Sequence, residues 1–122
     1  MNSQSQNKKS TGDYGEKLAA EFIKNLGYEI IKRNFRYGHG EIDIIAKDKN
    51  DLIFIEVKYR QNLEYGEPEY AITTSKQKQL KKIAEAYLAI NEIKDQNCRM
   101  DVIAILHLSG EEPKITHYTN AF

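Results

Sequence analysis

Two stretches of the chain place hydrophobic residues three or four positions apart, which is the spacing of a helix with one buried face. The first covers residues 15–26, and Gly27 directly after it predicts the end of the helix. The second begins at one of three hydroxyl residues at positions 73–75, each able to cap a helix, and runs to about residue 91. Its predicted buried row is Leu80, Ile83, Ala84, Tyr87 and Leu88.

Strand patterns, rich in β-branched and aromatic residues, occupy residues 28–36, 41–47, 52–59, 97–108 and 115–119. The second and third are separated by four polar residues only, which predicts a hairpin. The fourth carries apolar residues at successive positions, which predicts a strand buried on both faces near its middle. Residues 61–70 contain Gly66, Pro68 and three acids, which predict an exposed loop. The order helix, three strands, helix, two strands predicts an α/β or α+β domain with one mixed sheet.

Size and composition are those of a single soluble domain. The chain has 122 residues and a mass of 14.1 kDa, with 40% hydrophobic and 30% charged residues. Residues 1–10 are Asn, Ser, Gln and Lys without an apolar stretch, so we expect a disordered tail and not a secretory signal. The expected domain therefore covers residues 11–122.

Charge and cysteine content exclude several classes of protein. Basic and acidic residues both total 18, which excludes a histone-like polycation but leaves a nucleic-acid partner open, because positive charges can cluster on one face. Cys98 has no partner for an internal disulfide, and the three histidines show no zinc-ligand spacing. No apolar run reaches the length of a membrane span. We therefore expect a cytoplasmic protein with no membrane partner.

The predicted hairpin places acids where an ordinary sheet would avoid them. A turn centred between Lys49 and Asn50 pairs residues whose numbers add to 99, which sets Asp43 opposite Glu56 and Glu41 opposite Lys58. Two like charges so placed destabilise a sheet unless something offsets them, and a Mg²⁺ ion between the carboxylates would do so. Alternation puts Glu56, Lys58 and Arg60 on one face of their strand. The alternative is a solvated sheet face with cross-strand ion pairs.

Two further groups of charged residues extend this pattern. Glu16 falls beside the buried stripe of the first helix, although it could also simply complement the positive end of the helix dipole. Four lysines on the second helix, with no acid among them, favour a phosphate partner, although a solvated helix face is the alternative. These lysines are Lys76, Lys78, Lys81 and Lys82, and Arg33 and Arg36 could extend the same path.

Short motifs spread over nearly the whole chain carry a resemblance to a known family. They are GDYGE at 12–16, GY at 27–28, RNFR at 33–36, GEIDIIA at 40–46, FIEVKYR at 54–60, DVI at 101–103 and NAF at 120–122. Through these motifs the chain resembles the YraN-type family of uncharacterised bacterial proteins. That family in turn resembles the PD-(D/E)xK nucleases and, among them, the small archaeal Holliday-junction resolvases.

The resemblance implies a restriction-endonuclease-like α/β core, a mixed central sheet flanked by helices, and a set of site residues. Asp43 would be the metal-binding aspartate of the superfamily, Glu56 its second acid and Lys58 its lysine. Glu16 would be the helix acid found in the resolvases. Ile42 stands where the superfamily's name has proline.

These observations lead to the hypothesis of a Mg²⁺-dependent (or Mn²⁺-dependent) endonuclease that hydrolyses DNA phosphodiester bonds. Asp43 and Glu56 would bind the metal, Glu16 would complete its ligand set, and Lys58 would orient the attacking water. Arg33, Arg36, Arg60 and the four helix lysines would hold the DNA backbone. Phosphate contacts carry no sequence information, so we expect selectivity for DNA structure, such as branched or nicked DNA.

Two other functions remain open on the sequence alone. One is a nucleic-acid-binding module that retains the site without useful turnover. The other is an interaction or scaffold domain in which the acids are only surface electrostatics. Enzymes that cut branched DNA often act as symmetric pairs, and this analogy suggests a homodimer.

Overall fold

A computed structural model describes the backbone of residues 3–63 and 72–122, with side chains from residue 12 onward in those ranges. In chain order the elements are α1 (Ser3–Asn25), β1 (Glu29–Tyr37), β2 (Gly40–Asp48), β3 (Asp51–Arg60), α2 (Thr74–Ile90), β4 (Asn97–Leu106) and β5 (Lys114–Tyr118). The strands form one sheet in the order β1-β2-β3-β4-β5. Only β3 and β4 are parallel, and α2 connects them. The predicted fold class, a restriction-endonuclease-like mixed sheet flanked by helices, is confirmed.

The two helices cover opposite faces of the sheet. Ala19, Ala20 and Ile23 of α1 pack on one face, against a cluster that includes Ile44 and Ile55. The buried row of α2 packs on the other face, where Phe54 and Ile42 lie beneath it. The central strands are therefore buried on both sides, and β4 is buried without interruption over residues 101–106, as predicted.

The capping residue and the hydrophobic row read from the sequence correctly predicted the second helix. Thr73 is the N-cap of α2, and its Oγ1 accepts a hydrogen bond of 3.1 Å from the backbone N–H of Lys76. Four of the five residues predicted for the buried row are buried, and Leu88 is partly buried against the same cluster. No helix in the described part of the chain is long and apolar enough to cross a bilayer.

The first helix starts earlier than its hydrophobic pattern indicates. α1 begins at Ser3 instead of residue 15, so the backbone of residues 3–10, predicted as a disordered tail, forms its first turns. Those residues carry no apolar periodicity, and adding residues to a helix that is already nucleated costs little free energy. Of the predicted exposed loop, residues 61–63 are exposed and residues 64–71 lie outside the described residues.

Candidate functional site

Strands β2 and β3 stop pairing at the point where the predicted site lies. Their register adds to 99, as predicted, from Asp48↔Asp51 to Ile44↔Ile55, where the paired positions end. Neither of the predicted oppositions, Asp43 with Glu56 and Glu41 with Lys58, is therefore part of the ladder, although Asp43 and Glu56 come directly after its last pair. Beyond its end, Asp43 Oδ2 accepts a hydrogen bond of 2.8 Å from the backbone N–H of Val57. A side-chain carboxyl group thus takes an amide that would otherwise bond to the neighbouring strand, and this holds Asp43 in place.

Asp43 and Glu56 form a pair of acids at this gap. Asp43 is only 9% exposed, and its carboxyl group lies within hydrogen-bonding reach of that of Glu56. Burial, followed by the hydrogen bond and negative charge of Glu56, raises the pKa of Asp43 to about 9, although the Val57 amide opposes this. Without a cation, the Asp43 carboxyl group is therefore protonated near neutral pH.

Glu16 approaches the same region from α1. Its side chain is 13% exposed, and its Oε1 lies 3.7 Å from a guanidinium nitrogen of Arg33. That oxygen is buried and accepts no hydrogen bond from the described residues. Burial raises the pKa of Glu16 above its ordinary value, Arg33 opposes the shift, and the charge of Glu41 adds to it. Glu16 also raises the pKa of Asp43, so it belongs to the same electrostatic cluster.

The sequence analysis missed Glu41 as a member of this cluster. Its Oε2 is buried without a hydrogen bond from the described residues and lies 3.5 Å from Nε of Arg36. A signal was available, because Glu41 and Asp43 are two positions apart on one strand. The predicted pairing placed Glu41 opposite Lys58 on the neighbouring strand. In the structure, the negative charge of Glu41 instead raises the pKa of Glu16 on α1.

Of the predicted basic residues, Lys58 and Arg60 follow Glu56 on β3. Both are partly buried, and strand alternation directs both to the Glu56 side of the sheet. Nε of Arg60 is buried without a hydrogen bond from the described residues. The backbone carbonyl of Arg60 accepts a hydrogen bond of 2.9 Å from His107, which fixes the end of β3.

The predicted lysine cluster divides into two parts. Nζ of Lys76, in the first turn of α2, lies 3.7 Å from Oε2 of Glu56 and so belongs to the acidic site. Lys78, Lys81 and Lys82 are exposed and line a separate open pocket of about 590 Å³. Nζ of Lys81 also lies 5.9 Å from the centroid of the Phe122 ring. The three outer lysines are therefore not brought to the acids.

A second open pocket, of about 440 Å³, lies beside the acids between the β1–β2 turn and α2. Its lining includes Arg36, His39, Glu41 and Lys76. Gly40 lies close to α2, because a Cβ there would come within 2.8 Å of the side-chain ends of Gln79 and Ile83, which would have to shift to admit it. Two cationic side chains thus border a space adjacent to the acid pair, which suits a phosphate group.

The donors at the gap fit a hard divalent cation. Carboxylate oxygens are the ligands that Mg²⁺ prefers, and among the described residues no donor bonds to the buried oxygens of Glu16 and Glu41. No group of three acidic, histidine or cysteine side chains in the described ranges already converges as a metal centre. Mg²⁺ commonly takes one or two carboxylates together with water and substrate phosphate, which the pair Asp43 and Glu56 can provide.

A second buried aspartate lies elsewhere in the sheet and has very different neighbours. Asp101 is 0% exposed and accepts hydrogen bonds from Arg99 Nε at 2.9 Å and the Asn120 amide at 2.9 Å, with His117 Nε2 at 2.8 Å. Arg99 also donates to the hydroxyl of Tyr28 at 2.9 Å. Sequence reasoning assigned His117 to structure or surface, and its contact with Asp101 is structural.

Comparisons with known proteins place these residues in a family. The pattern of the "Uncharacterised protein family UPF0102" matches residues 15–105. A UPF0102 protein of Geobacter sulfurreducens is 48% identical over 118 residues, covering 97% of this chain and 92% of that protein. A UPF0102 protein of Caldicellulosiruptor saccharolyticus is 44% identical over 117 residues, covering 95% and 99%. The matched range includes Glu16, Asp43, Glu56 and Lys58.

Proposed function

This chain belongs to the uncharacterised protein family UPF0102, and we propose that it is a metal-dependent endonuclease acting on DNA phosphodiester bonds. The observation that carries the proposal is the buried acid pair at the gap between β2 and β3. Burial and the neighbouring acids Glu56 and Glu16 raise the pKa of Asp43, and burial and Glu41 raise the pKa of Glu16. Buried carboxyl groups whose pKa values are shifted in this way are characteristic of functional sites.

Asp43 and Glu56 would hold a Mg²⁺ or Mn²⁺ ion, with Glu16 contributing directly or through water. When bound, the ion would supply a water of lowered pKa and offset the charge that develops on the phosphate. The proton on Asp43 would leave when the ion binds. The Val57 amide keeps Asp43 in position in either state, because it bonds to Oδ2 and leaves the other oxygen for a ligand.

Lys58 and the neighbouring cations would act on the substrate. Lys58 leaves β3 on the same side as Glu56, where its ammonium can orient the attacking water and stabilise the negative charge of the transition state. Lys76 and Arg36 border the pocket beside the acids and would hold the phosphate backbone. Backbone contacts do not read base identity, so selectivity for branched or nicked DNA follows more naturally than selectivity for sequence.

Cleavage of defined DNA structures tests the proposal. Protein without a tag is incubated with branched, flapped, nicked and linear duplexes in Mg²⁺ or Mn²⁺, with Asp43→Ala as the inactive control. Lys58→Met keeps the length of the side chain and removes its charge, so cleavage should fall about 100-fold or more while DNA affinity changes little. Equal losses of rate and affinity would show that Lys58 only docks the DNA. Equal cleavage by wild type and Asp43→Ala would refute the site.

One observation favours a second candidate, a nucleic-acid-binding module without turnover. Arg33 lies 3.7 Å from Glu16, Arg36 lies 3.5 Å from Glu41 and Lys76 lies 3.7 Å from Glu56, so three of the acids have a cationic partner without any metal. In that case Mg²⁺ would alter DNA affinity but produce no nicks. The same incubation, followed by denaturing gels for nicks and by a binding assay, separates the two candidates.

A further inference from the structure

Three aromatic rings meet where α1 crosses the ends of β3 and β4. Tyr59 and Tyr14 pack edge to face with their centroids 6.0 Å apart, and His107 lies 5.9 Å from Tyr14 with the ring planes at 26°. The hydroxyl of Tyr59 is 3.2 Å from Nδ1 of His107. Tyr59 and His107 are partly buried, whereas Tyr14 is 43% exposed. The cluster therefore has two supporting rings and one outer ring.

The supporting rings are held by the backbone around them. A Cβ at Gly15 would come within 2.7 Å of Cβ and 2.8 Å of Cγ of Tyr59, so only glycine lets α1 lie this close to the ring. The backbone N–H of His107 donates to the carbonyl of Arg60 at 2.9 Å. The ring of Tyr14 therefore packs on two rings, those of Tyr59 and His107, whose positions are fixed. Its conformational freedom is reduced before any ligand binds.

The aromatic cluster and the acid site share residues of the same two elements. Glu16 follows Tyr14 by two positions on α1, and Tyr59 follows Val57, whose amide holds Asp43, by two positions on β3. Two strand positions correspond to about 7 Å, and the ring centroid of Tyr14 lies a further 6.0 Å from that of Tyr59. Together these lengths correspond to a few steps along one DNA strand, at about 3.4 Å a step. A strand whose phosphate lies at the acids can therefore place a base a few nucleotides away at the ring of Tyr14.

We propose that Tyr14 is a stacking site for an unpaired nucleobase of the substrate, a few nucleotides from the phosphate at the acid site. The inference rests on the proposed function for that phosphate and specifies the class of DNA. Base pairs in an intact duplex stack on their neighbours and hide their faces, so an exposed ring favours DNA with single-stranded segments, such as flaps and open junctions. Each base has an aromatic face, and stacking on Tyr14 selects for unpaired bases regardless of sequence.

Binding without cleavage tests the inference. Anisotropy in EDTA compares labelled duplexes that carry a flap of normal nucleotides with the same duplexes whose flap consists of abasic spacers. The wild type should bind the normal flap at least about 5-fold more tightly, which is the lower end of the effect of losing one stacked base. Tyr14→Ala should abolish the preference, and Tyr14→Phe should retain it because the ring is kept.

A matched control separates stacking from a general loss of surface. Tyr37 is 52% exposed and makes no ring contact within the described residues, so Tyr37→Ala should keep the preference for the normal flap. Equal binding of normal and abasic flaps by the wild type, or an unchanged preference in Tyr14→Ala, would overturn the inference, as would loss of the preference in Tyr37→Ala. A melting curve verifies that each variant folds.

The nuclease proposal is judged separately, by Mg²⁺-dependent cleavage of the same flaps. A Tyr14-dependent preference without cleavage supports the stacking site and refutes the nuclease. Cleavage without such a preference refutes the stacking site alone.

Discussion

Two aspartates are buried in this sheet, and their surroundings are opposite in character. Burial alone would raise the pKa of Asp101, but hydrogen bonds from His117, Arg99 and the Asn120 amide lower it below its ordinary value. Asp43 has one amide donor and acidic neighbours, so burial and the charge of Glu56 raise its pKa. The same side chain is therefore a stable anion in one place and a protonated acid in the other.

The comparison distinguishes a structural polar group from a functional one. The ligands of Asp101 come from β4, β5 and the residues after β5, so its carboxylate ties the end of the chain to the sheet. Every donor around it is supplied by the protein. At Asp43 the protein supplies one amide donor and acidic neighbours. Under the proposed function, a bound cation would complete the compensation, and the metal-free fold would lose some stability in exchange.

The largest expected effect is at Asp101. Asp101→Asn removes the anion between Arg99 and His117 and leaves buried donors without a charged partner, so we expect a loss of about 3–5 kcal/mol in the free energy of unfolding. Urea denaturation at pH 7 measures it. Asp95→Asn, at an exposed turn residue with φ of 53° that asparagine tolerates, is the control and should change stability by less than about 0.5 kcal/mol. A loss of similar size in both variants would contradict the assigned role of Asp101.

The next largest effect concerns metal at Asp43. A divalent ion that binds only the folded protein stabilises it by about 2.7 kcal/mol when its free concentration is 100 times its dissociation constant. Melting curves with and without millimolar Mg²⁺ or Mn²⁺ should therefore differ for the wild type and coincide for Asp43→Ala. Stabilisation that survives in Asp43→Ala would place the metal elsewhere.

A pH titration of stability in EDTA tests the raised pKa of Asp43. The folded protein binds the Asp43 proton more tightly than the unfolded chain, so the contribution is fully present below about pH 4 and declines as pH rises toward about 9. The decline can reach about 1.4 kcal/mol per pH unit. Asp43→Asn should remove it and make the metal-free protein more stable at pH 8, by on the order of 2 kcal/mol. A variant less stable than the wild type at pH 8 would refute the shift.

The smallest expected effect separates the two groups of lysines. Lys76 contacts the acid site and Lys82 lines the outer pocket. If each contacts one phosphate, Lys76→Gln and Lys82→Gln should each lower the slope of log affinity against log salt by about one, for all duplex sequences alike. A change in Lys76→Gln alone would confine the DNA to the acid side of α2. An unchanged slope in both variants would direct the search to Arg33, Arg36 and Arg60.

Local sequence determined most elements and the hairpin register. The polar turn after β2 sets which residues of β2 and β3 face each other, and the alternation of strands sets which faces they occupy, so Asp43 and Glu56 could be paired without a structure. The cap and buried row of α2 were equally local, because they depend on neighbours within one helix. The early start of α1 was missed, since residues 3–10 have no apolar period to reveal it.

Tertiary structure alone decided how the charges are compensated. The charge of Glu41 raises the pKa of Glu16 through space, although 25 positions separate the two residues in the chain. The four lysines form two groups because successive residues of α2 are rotated by a fixed angle about the helix axis. The donors of Asp101 likewise come from separate elements. Electrostatic interactions depend on distance and burial, and no pattern of residue types along a chain contains either quantity before the sheet and helices are packed. The sequence thus determined which acids and bases the site has, and the packing determined which of them lie close enough to affect each other's pKa.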